Sequence, residues 1–428
     1  MNTLQPIVSR APRAWPAPPL AEPPLARQPE PPLEQAFALF GAAPALAQPL
    51  PVGQLYFPSW DRYEAAMRDI FDREYYTNHG PLAQRLEARL AERMKVRHVV
   101  CVTNATIGLV MACEALGLTG KVILPAFTFI ATPQALSWTR LTPVFCDVDP
   151  ATHQITAERI EPLIDADVSA ILAVNLWGDA CPAASLQALA DRHGIRLFFD
   201  SAHSMGCEVG GVPVGNFGDV EVFSFHATKV FSSAEGGCLC TNDDALAARL
   251  RNIRSSYGAG AAVDVVKTSN GRMSEAQAAI GLLNLDDFDA ALVNNRLLFD
   301  RYRDGLRAIR GLSLYEPRHV STTNYQYVVC EIDETAFGLS RDLLLGLLKA
   351  ENIVARRYFH PGAHRSIPYV DELPQYVDAL PETDRLNARL IQLPSGALVT
   401  ETQIATICER IAAAQLHADA IRARTAEV

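Results

Sequence analysis

Three short clusters in this sequence hold residue types suited to covalent chemistry on a carbonyl compound. Lys229 closes the run Phe223-Ser224-Phe225-His226-Ala227-Thr228-Lys229, and Ser232, Ser233, Glu235 and a Gly236-Gly237 pair follow. A lysine among aromatic and small residues just past an apolar strand is badly placed for a solvated charge. Desolvation lowers its pKa, and a neutral amine can form a Schiff base with a carbonyl. Asp200 sits in Phe198-Phe199-Asp200-Ser201-Ala202-His203, directly after another apolar run. Alone it reads as a helix cap; beside a heterocycle, an ionised carboxylate can hold a ring nitrogen protonated and make the ring an electron sink. Thr103-Asn104-Ala105-Thr106-Ile107-Gly108 joins a strand to a helix. Free amides and a hydroxyl at a helix start suit a phosphate, although Thr or Asn there also serves as a plain N-cap. In the order anion turn, acid, lysine, the trio is the equipment for pyridoxal 5′-phosphate.

Such clusters work only if strand ends bring them together. From 98 to 240 the runs HVVCVT, KVILPAF, TPVFCDV, SAILAV, IRLFFD, VEVFSF and GCLCT read as strands, with ATIGLVMACEALG, PQALSWT, ITAERIEPLI and AASLQALADRHG as helices between several of them. Strands apolar on both faces and separated by helices imply an α/β fold whose mainly parallel sheet is covered on both sides. Such sheets bind ligands at the carboxyl ends of their strands. Upstream, WDRYEAAMRDIFDREYY and PLAQRLEARLAERMKV have helical periodicity, and Pro81 suits a first turn. Downstream, DDALAARLRNIRSSYG is helical, AGAAVDVVKTSNGR a loop, and MSEAQAAIGLLNLDDFDAALVNNRLLFDRYRDGLRAI a long helical region. NYQYVVCEID and VARRYF read as strands, SRDLLLGLLKAE and TETQIATICERIAAAQLHADAIR as helices. The organisation expected is a proline-rich tail over 1–35, a large domain over 36–300 and a smaller α+β domain over 301–428.

The 428 residues carry a net charge of −10, which disfavours a general nucleic-acid or anionic-membrane surface. Of 28 prolines, ten fall in residues 1–35, where fixed φ and missing amide donors oppose helix and ladder alike. That tail is expected to be dispensable for catalysis. Nine cysteines without a CxxC pair read as buried thiols of a cytoplasmic protein, and no apolar run of membrane-spanning length occurs. Neither GxGxxG nor GxxxxGK[ST] is present.

Through TNHGPL, TNATIGL, LPAFTFIATP, TPVFCDVDP, FFDSAHS, GDVEVFSFHATKVFSSAEGG and GRMSEAQAAIGLLNLD, the chain resembles the DegT/DnrJ/EryC1/StrS family of sugar aminotransferases. The resemblance implies fold-type I, an aspartate aminotransferase-like architecture with pyridoxal phosphate bound in the large domain. Motif by motif, it implies that Lys229 carries the cofactor and shuttles the proton, Asp200 pairs with the pyridine nitrogen, Phe129 stacks on the ring and His203 lies near the ring oxygen. Ala105, Thr106 and Ser224 would hold the phosphate. Asn270 would reach the phosphate of a partner subunit, which makes a homodimer part of the expectation, and Asn78 of the TNHGPL motif, Arg356 and His364 would meet substrate. LFGAAPALAQPLPVG, NYQYVVCEID and ARRYFHPGAHRSIPY resemble the members that aminate C4 of a dTDP-4-keto-6-deoxy sugar with L-glutamate. The family's dehydratases carry His at the position of Lys229, so transamination is implied. Other ketones, a ketocyclitol or a 3-ketosugar, and a non-catalytic cofactor-binding sensor are the alternatives. Asn175 stands where the family often has His, and Asp179 where Arg or Gln is usual; both are expected near the pocket, where they could alter the choice of sugar or donor. No metal is expected: Pro361-Gly362 keeps His360 and His364 off one helix face, and Asp147 and Asp149 suit a turn. Of Arg356 and Arg357, one is a candidate for a diphosphate.

Overall fold

All seven expected strands form one sheet in the computed structural model, which describes residues 31–53, 56–255, 263 and 267–426. They are β1 (His98–Val102), β2 (Lys121–Pro125), β3 (Thr142–Cys146), β4 (Val168–Val174) and β5 (Arg196–Asp200). After a small hairpin of β6 (Glu208–Val209) and β7 (Val212–Pro213) come β8 (Val220–Ser224) and β9 (Gly237–Thr241). The order is β1-β9-β8-β5-β4-β2-β3, and only β9 runs against its neighbours.

The register explains why the three chemical clusters meet. Val174 pairs with Asp200, Asp200 with Val222, and both Ser224 and Val102 with Gly237. Because β9 is antiparallel, its first residue lies at the edge where β1, β8, β5 and β4 end. Alternate residues feed opposite layers: Phe198 and Val222 pack with the helix Ala105–Ala115, while Leu197 and Phe199 pack with Ala183–His193. Both faces are thereby dry, as the unbroken apolar runs require. Pro81 opens the helix Pro81–Met94, and all nine cysteines are free and buried.

A second sheet is antiparallel, β10 (Leu312–Leu314), β11 (Val329–Ile332) and β12 (Leu390–Gln392) in that order. Its core includes Leu298, Tyr302, Leu347 and Ile407, and also Phe37 and Leu50 from far upstream. The amides of Ala38 and Ala45 donate to the two carboxylate oxygens of Glu351 at 2.8 and 2.7 Å, and Phe37 meets His417 edge-on at 5.7 Å. The proline-rich tail was expected to form no helix through residue 35, but Leu33–Ala36 is a helical turn, since the last prolines, Pro31 and Pro32, precede it. The expectation for residues 1–30 lies outside the described residues. Phe37→Ala should lower unfolding free energy by about 3 kcal/mol in a denaturant titration, as the loss of a core phenylalanine does.

Three local expectations differ. VARRYF is no strand: a single bridge joins Arg356 to Gln392, and Pro361 and Gly362 end the chance of a ladder. The long helical region breaks at Asp287 into Glu275–Asp286 and Phe288–Leu306; the Asp287 carboxylate is taken by Arg62 at 2.5 Å. The last helix divides at His417 into Glu401–Leu416 and Ala418–Thr425. No helix among the described residues is long and apolar enough to cross a membrane.

Candidate active site

A cavity of about 370 Å³ opens at the carboxyl edge of the large sheet, and Thr106, Asp200, His203, Ser224, Lys229 and Arg356 face it. One end of it is built by the start of the helix Ala105–Ala115. Asn104 caps that helix, its side-chain oxygen accepting from the Ile107 amide at 2.9 Å. The amides of Ala105 and Thr106, first in the helix, are left without intrahelical acceptors. Ser224, the last residue of β8, lies beside them. Gly237 lets the helix start sit this close: a Cβ there would stand 2.9 Å from the Ala105 amide and 2.6 Å from the Phe223 carbonyl.

Asp200 ends β5 and is buried. One carboxylate oxygen accepts from Thr132 Oγ1 at 2.8 Å and the other from the Ala202 amide at 3.2 Å. Burial pushes its pKa up, while Thr132, Ala202 and the Lys229 charge oppose that shift. A carboxylate so buried calls for a cationic partner. His203 stacks on Trp177 with centroids 5.4 Å apart, and its Nδ1 is buried without a hydrogen-bond partner among the described residues. Burial, then the Lys229 charge, pushes this imidazole well below its ordinary pKa, so it stays neutral. Phe129 lines the cavity with 54% of its surface accessible.

Lys229 is half-buried and donates from Nζ to the Tyr327 hydroxyl at 3.3 Å. Burial lowers its pKa to about 8; Tyr358 and Asp200 oppose the shift and Arg356 adds to it. Since the neutral amine is the nucleophile, cofactor-free protein should capture an aldehyde faster as pH rises, levelling off above about pH 8 rather than near 10.5. The same depressed pKa makes protonation of Lys229 oppose folding, so its contribution to the stability of the cofactor-free protein improves as pH climbs from about 8 toward 10.5. Stopped-flow capture rates across this range check the first statement.

An anion cradle, a buried carboxylate, an unpartnered imidazole nitrogen and a low-pKa lysine around one cavity fit pyridoxal 5′-phosphate. Arg356 also lines the cavity, with Nη1 donating to the Tyr358 hydroxyl at 3.2 Å, whereas Arg357 is exposed and pairs with Asp342 at 3.3 Å.

Other sequence candidates lie elsewhere. His364 does not line the cavity; its imidazole is buried, with Nε2 3.1 Å from Asp384 Oδ1, so the expected substrate contact is corrected to a packing role. Asp179 is likewise structural: its carboxylate accepts from the Tyr315 hydroxyl and from the amides of Ala180, Arg318 and His319 at 2.8 to 2.9 Å, tying down the loop after β10. Asn175 does reach the cavity wall, but its amide group is spent on Ser201 Oγ and the Cys181 amide. Asn78 and Asn270 are exposed and outside this cavity. Asp147 takes the amides of Glu382 and Thr383, and Asp149 those of Ala151 and Thr152, both as turn and cap formers. Among the described residues no group of three or more His, Cys, Asp or Glu is arranged for a metal. Sequence reasoning missed Thr132, Tyr327 and Tyr358. The four-residue spacing of Thr128 and Thr132, whose hydroxyls lie 2.9 Å apart, was a usable signal for the first.

A family model described as the DegT/DnrJ/EryC1/StrS aminotransferase family matches residues 61–412. The chain is 35% identical over 318 residues to a dTDP-4-amino-4,6-dideoxy-D-glucose transaminase of Shigella dysenteriae, covering 74% of this chain and 86% of that one. It is 32% identical over 364 residues to a GDP-perosamine synthase of Vibrio cholerae, covering 83% and 97%. The solved structure of DesI in the presence of its TDP-sugar product superposes with a TM-score of 0.86 at 39% identity, over 92% of this chain and 99% of that one.

Proposed function

The chain belongs to the DegT/DnrJ/EryC1/StrS aminotransferase family, and from that premise we propose that it moves an amino group from L-glutamate to the C4 ketone of a dTDP-linked 4-keto-6-deoxyhexose. The enzymes of this family depend on pyridoxal 5′-phosphate. The observation that carries the reading is the meeting of Lys229, Asp200 and the Ala105-Thr106-Ser224 cradle around one cavity. The likeness to a dTDP-4-amino-4,6-dideoxy-D-glucose transaminase and to DesI supports the choice of sugar and of carbon.

When bound, the cofactor supplies an aldehyde that takes up an amine and a ring that accepts the electron pair released at carbon. The amides of Ala105 and Thr106 and the Ser224 hydroxyl would hold its phosphate, Asp200 would face the ring nitrogen, and His203 Nδ1 the ring oxygen. Lys229 Nζ would be the base that removes the proton from the α-carbon of glutamate and, in the second half of the cycle, delivers one to C4 of the sugar. Its depressed pKa keeps a usable fraction of neutral amine near pH 7. Arg356, a cation of the wall, would meet the carboxylate of glutamate or the diphosphate of the sugar nucleotide in turn.

Asn78 and Asn270 belong to the proposal only in a homodimer, each completing the partner's cavity. Exposed Phe57, Trp60, Phe71 and Tyr76 cluster on and around the helix Trp60–Arg73, and a second copy would cover them.

The test is purified enzyme with dTDP-4-keto-6-deoxyglucose and L-glutamate, following 2-oxoglutarate and the aminosugar. The GDP-linked ketosugar, a 3-ketosugar and a ketocyclitol serve as competitors. Preference for one of these would replace the sugar assignment, and failure of glutamate to convert the bound cofactor to its amine form would favour a sensor.

A further inference from the structure

Tyr327 comes from β11's approach segment, 98 residues beyond Lys229, yet it is the hydrogen-bond partner of Nζ, at 3.3 Å. The ammonium lies 5.6 Å from the centroid of the Tyr327 ring, on its hydroxyl side. The tyrosine is 2% exposed and meets the His203 ring edge-on at 5.0 Å.

Its placement is fixed from both sides of the site. Gln326 Oε1 accepts from the Val230 amide at 2.6 Å, next to Lys229, and Gln326 Nε2 donates to the Ala202 carbonyl at 3.5 Å, next to His203. Asn324 donates to the carbonyls of His203 and Met205 at 2.9 and 3.0 Å, and its own carbonyl accepts from Asn295. Residues 324–327 are therefore bolted to the loops that carry Asp200 and Lys229. A rigid phenol beside a flexible four-carbon amine defines where that amine rests.

In a transamination cycle Nζ is free of the cofactor for part of each turnover, and its neighbours then decide where it waits. We propose that Tyr327 is a positioning residue that parks the free ε-amine of Lys229 within reach of the reacting carbon, holding it by the phenol oxygen. The inference rests on the aminotransferase reading. The phenol remains neutral, because burial raises its pKa far above the ordinary value. It can thus accept from the ammonium or donate to the free amine without losing or gaining a charge. The other groups facing the amine are Asp200 at the end of β5, His203 after it, and Arg356 and Tyr358 on the opposite wall.

Tyr327→Phe keeps the ring and the packing and removes only the hydroxyl. With the holoenzyme, the rate of the glutamate half-reaction should fall about tenfold, the loss of one hydrogen bond to a charged group, with KM for glutamate within about twofold. The isotope effect with α-deuterated glutamate should rise as proton transfer becomes slower. In the cofactor-free variant the pH midpoint for capture of added pyridoxal 5′-phosphate should move down, since the ammonium has lost an acceptor. An unchanged rate and midpoint would overturn the inference, as would a change confined to KM or to thermal stability. Wild-type enzyme inert toward glutamate would instead overturn the aminotransferase reading, so the two failures are distinguishable.

Discussion

Lys229→Ala should lose about four orders of magnitude in turnover of ketosugar plus glutamate, while its thermal unfolding stays cooperative. Two functions go at once: the amine that binds the aldehyde covalently, and the base that moves the proton between carbons. General acid–base catalysis alone contributes about 10²–10⁴-fold. The side chain is half-buried and its Nζ donates to Tyr327, and Asp200, whose carboxylate feels the Lys229 charge, keeps its bonds from Thr132 and Ala202, so the fold survives truncation. The near-ultraviolet and visible spectrum of the purified variant should lack the band of a lysine-bound cofactor, while pyridoxal phosphate remains bound through the Ala105 and Thr106 amides. Wild-type turnover in this variant would end the assignment of Lys229.

Asp200→Asn should have the next largest effect, a fall of about 10²–10³-fold in the half-reaction with glutamate, comparable with loss of one preorganised electrostatic contact. Asparagine keeps the shape and can still accept from Thr132, but it carries no charge to hold a ring nitrogen protonated. KM for both substrates should change little. Stability should respond in the opposite sense. In the cofactor-free protein burial raises the Asp200 pKa, so the folded state binds the proton more tightly than the unfolded one. Its ionisation then opposes folding, and stability falls as pH rises from the ordinary carboxylate range through the raised value. The asparagine variant should lack that slope, giving equal or higher melting temperature near pH 7 with most of the activity gone. A variant that loses stability and activity in parallel would show Asp200 to be structural.

The large sheet was legible because its strands are apolar on both faces and punctuated by helices, a pattern that few other folds share. Asp200, Ser224, Lys229 and the Ala105-Thr106 turn were readable because each sits within a few residues of a strand end, where local sequence dictates position. What local sequence does not carry is the contact across distance. Tyr327 reaches Lys229 only through the Gln326 and Asn324 bonds to two other loops, and nothing in NYQYVV announces them. Asp179 and His364 failed in the opposite direction. The family resemblance put them at or near the pocket, and their partners in the structure, the loop at 315–319 and Asp384, are 136 or more and 20 residues away respectively. VARRYF has strand composition but its ladder is one bridge long.

The strap formed by residues 33–50 has a consequence for how the chain is made. Phe37 leaves the ribosome well before the carboxylate that anchors its neighbours, Glu351, and the ring that covers it, His417. At about 5–20 residues per second, the interval between residues 37 and 417 is roughly 20–80 s. For that time the large sheet can assemble while Phe37 and Leu50 wait uncovered. The sealing of residues 33–50 is thus a late event: until Glu351 and His417 arrive, that segment is the part a chaperone or protease would meet.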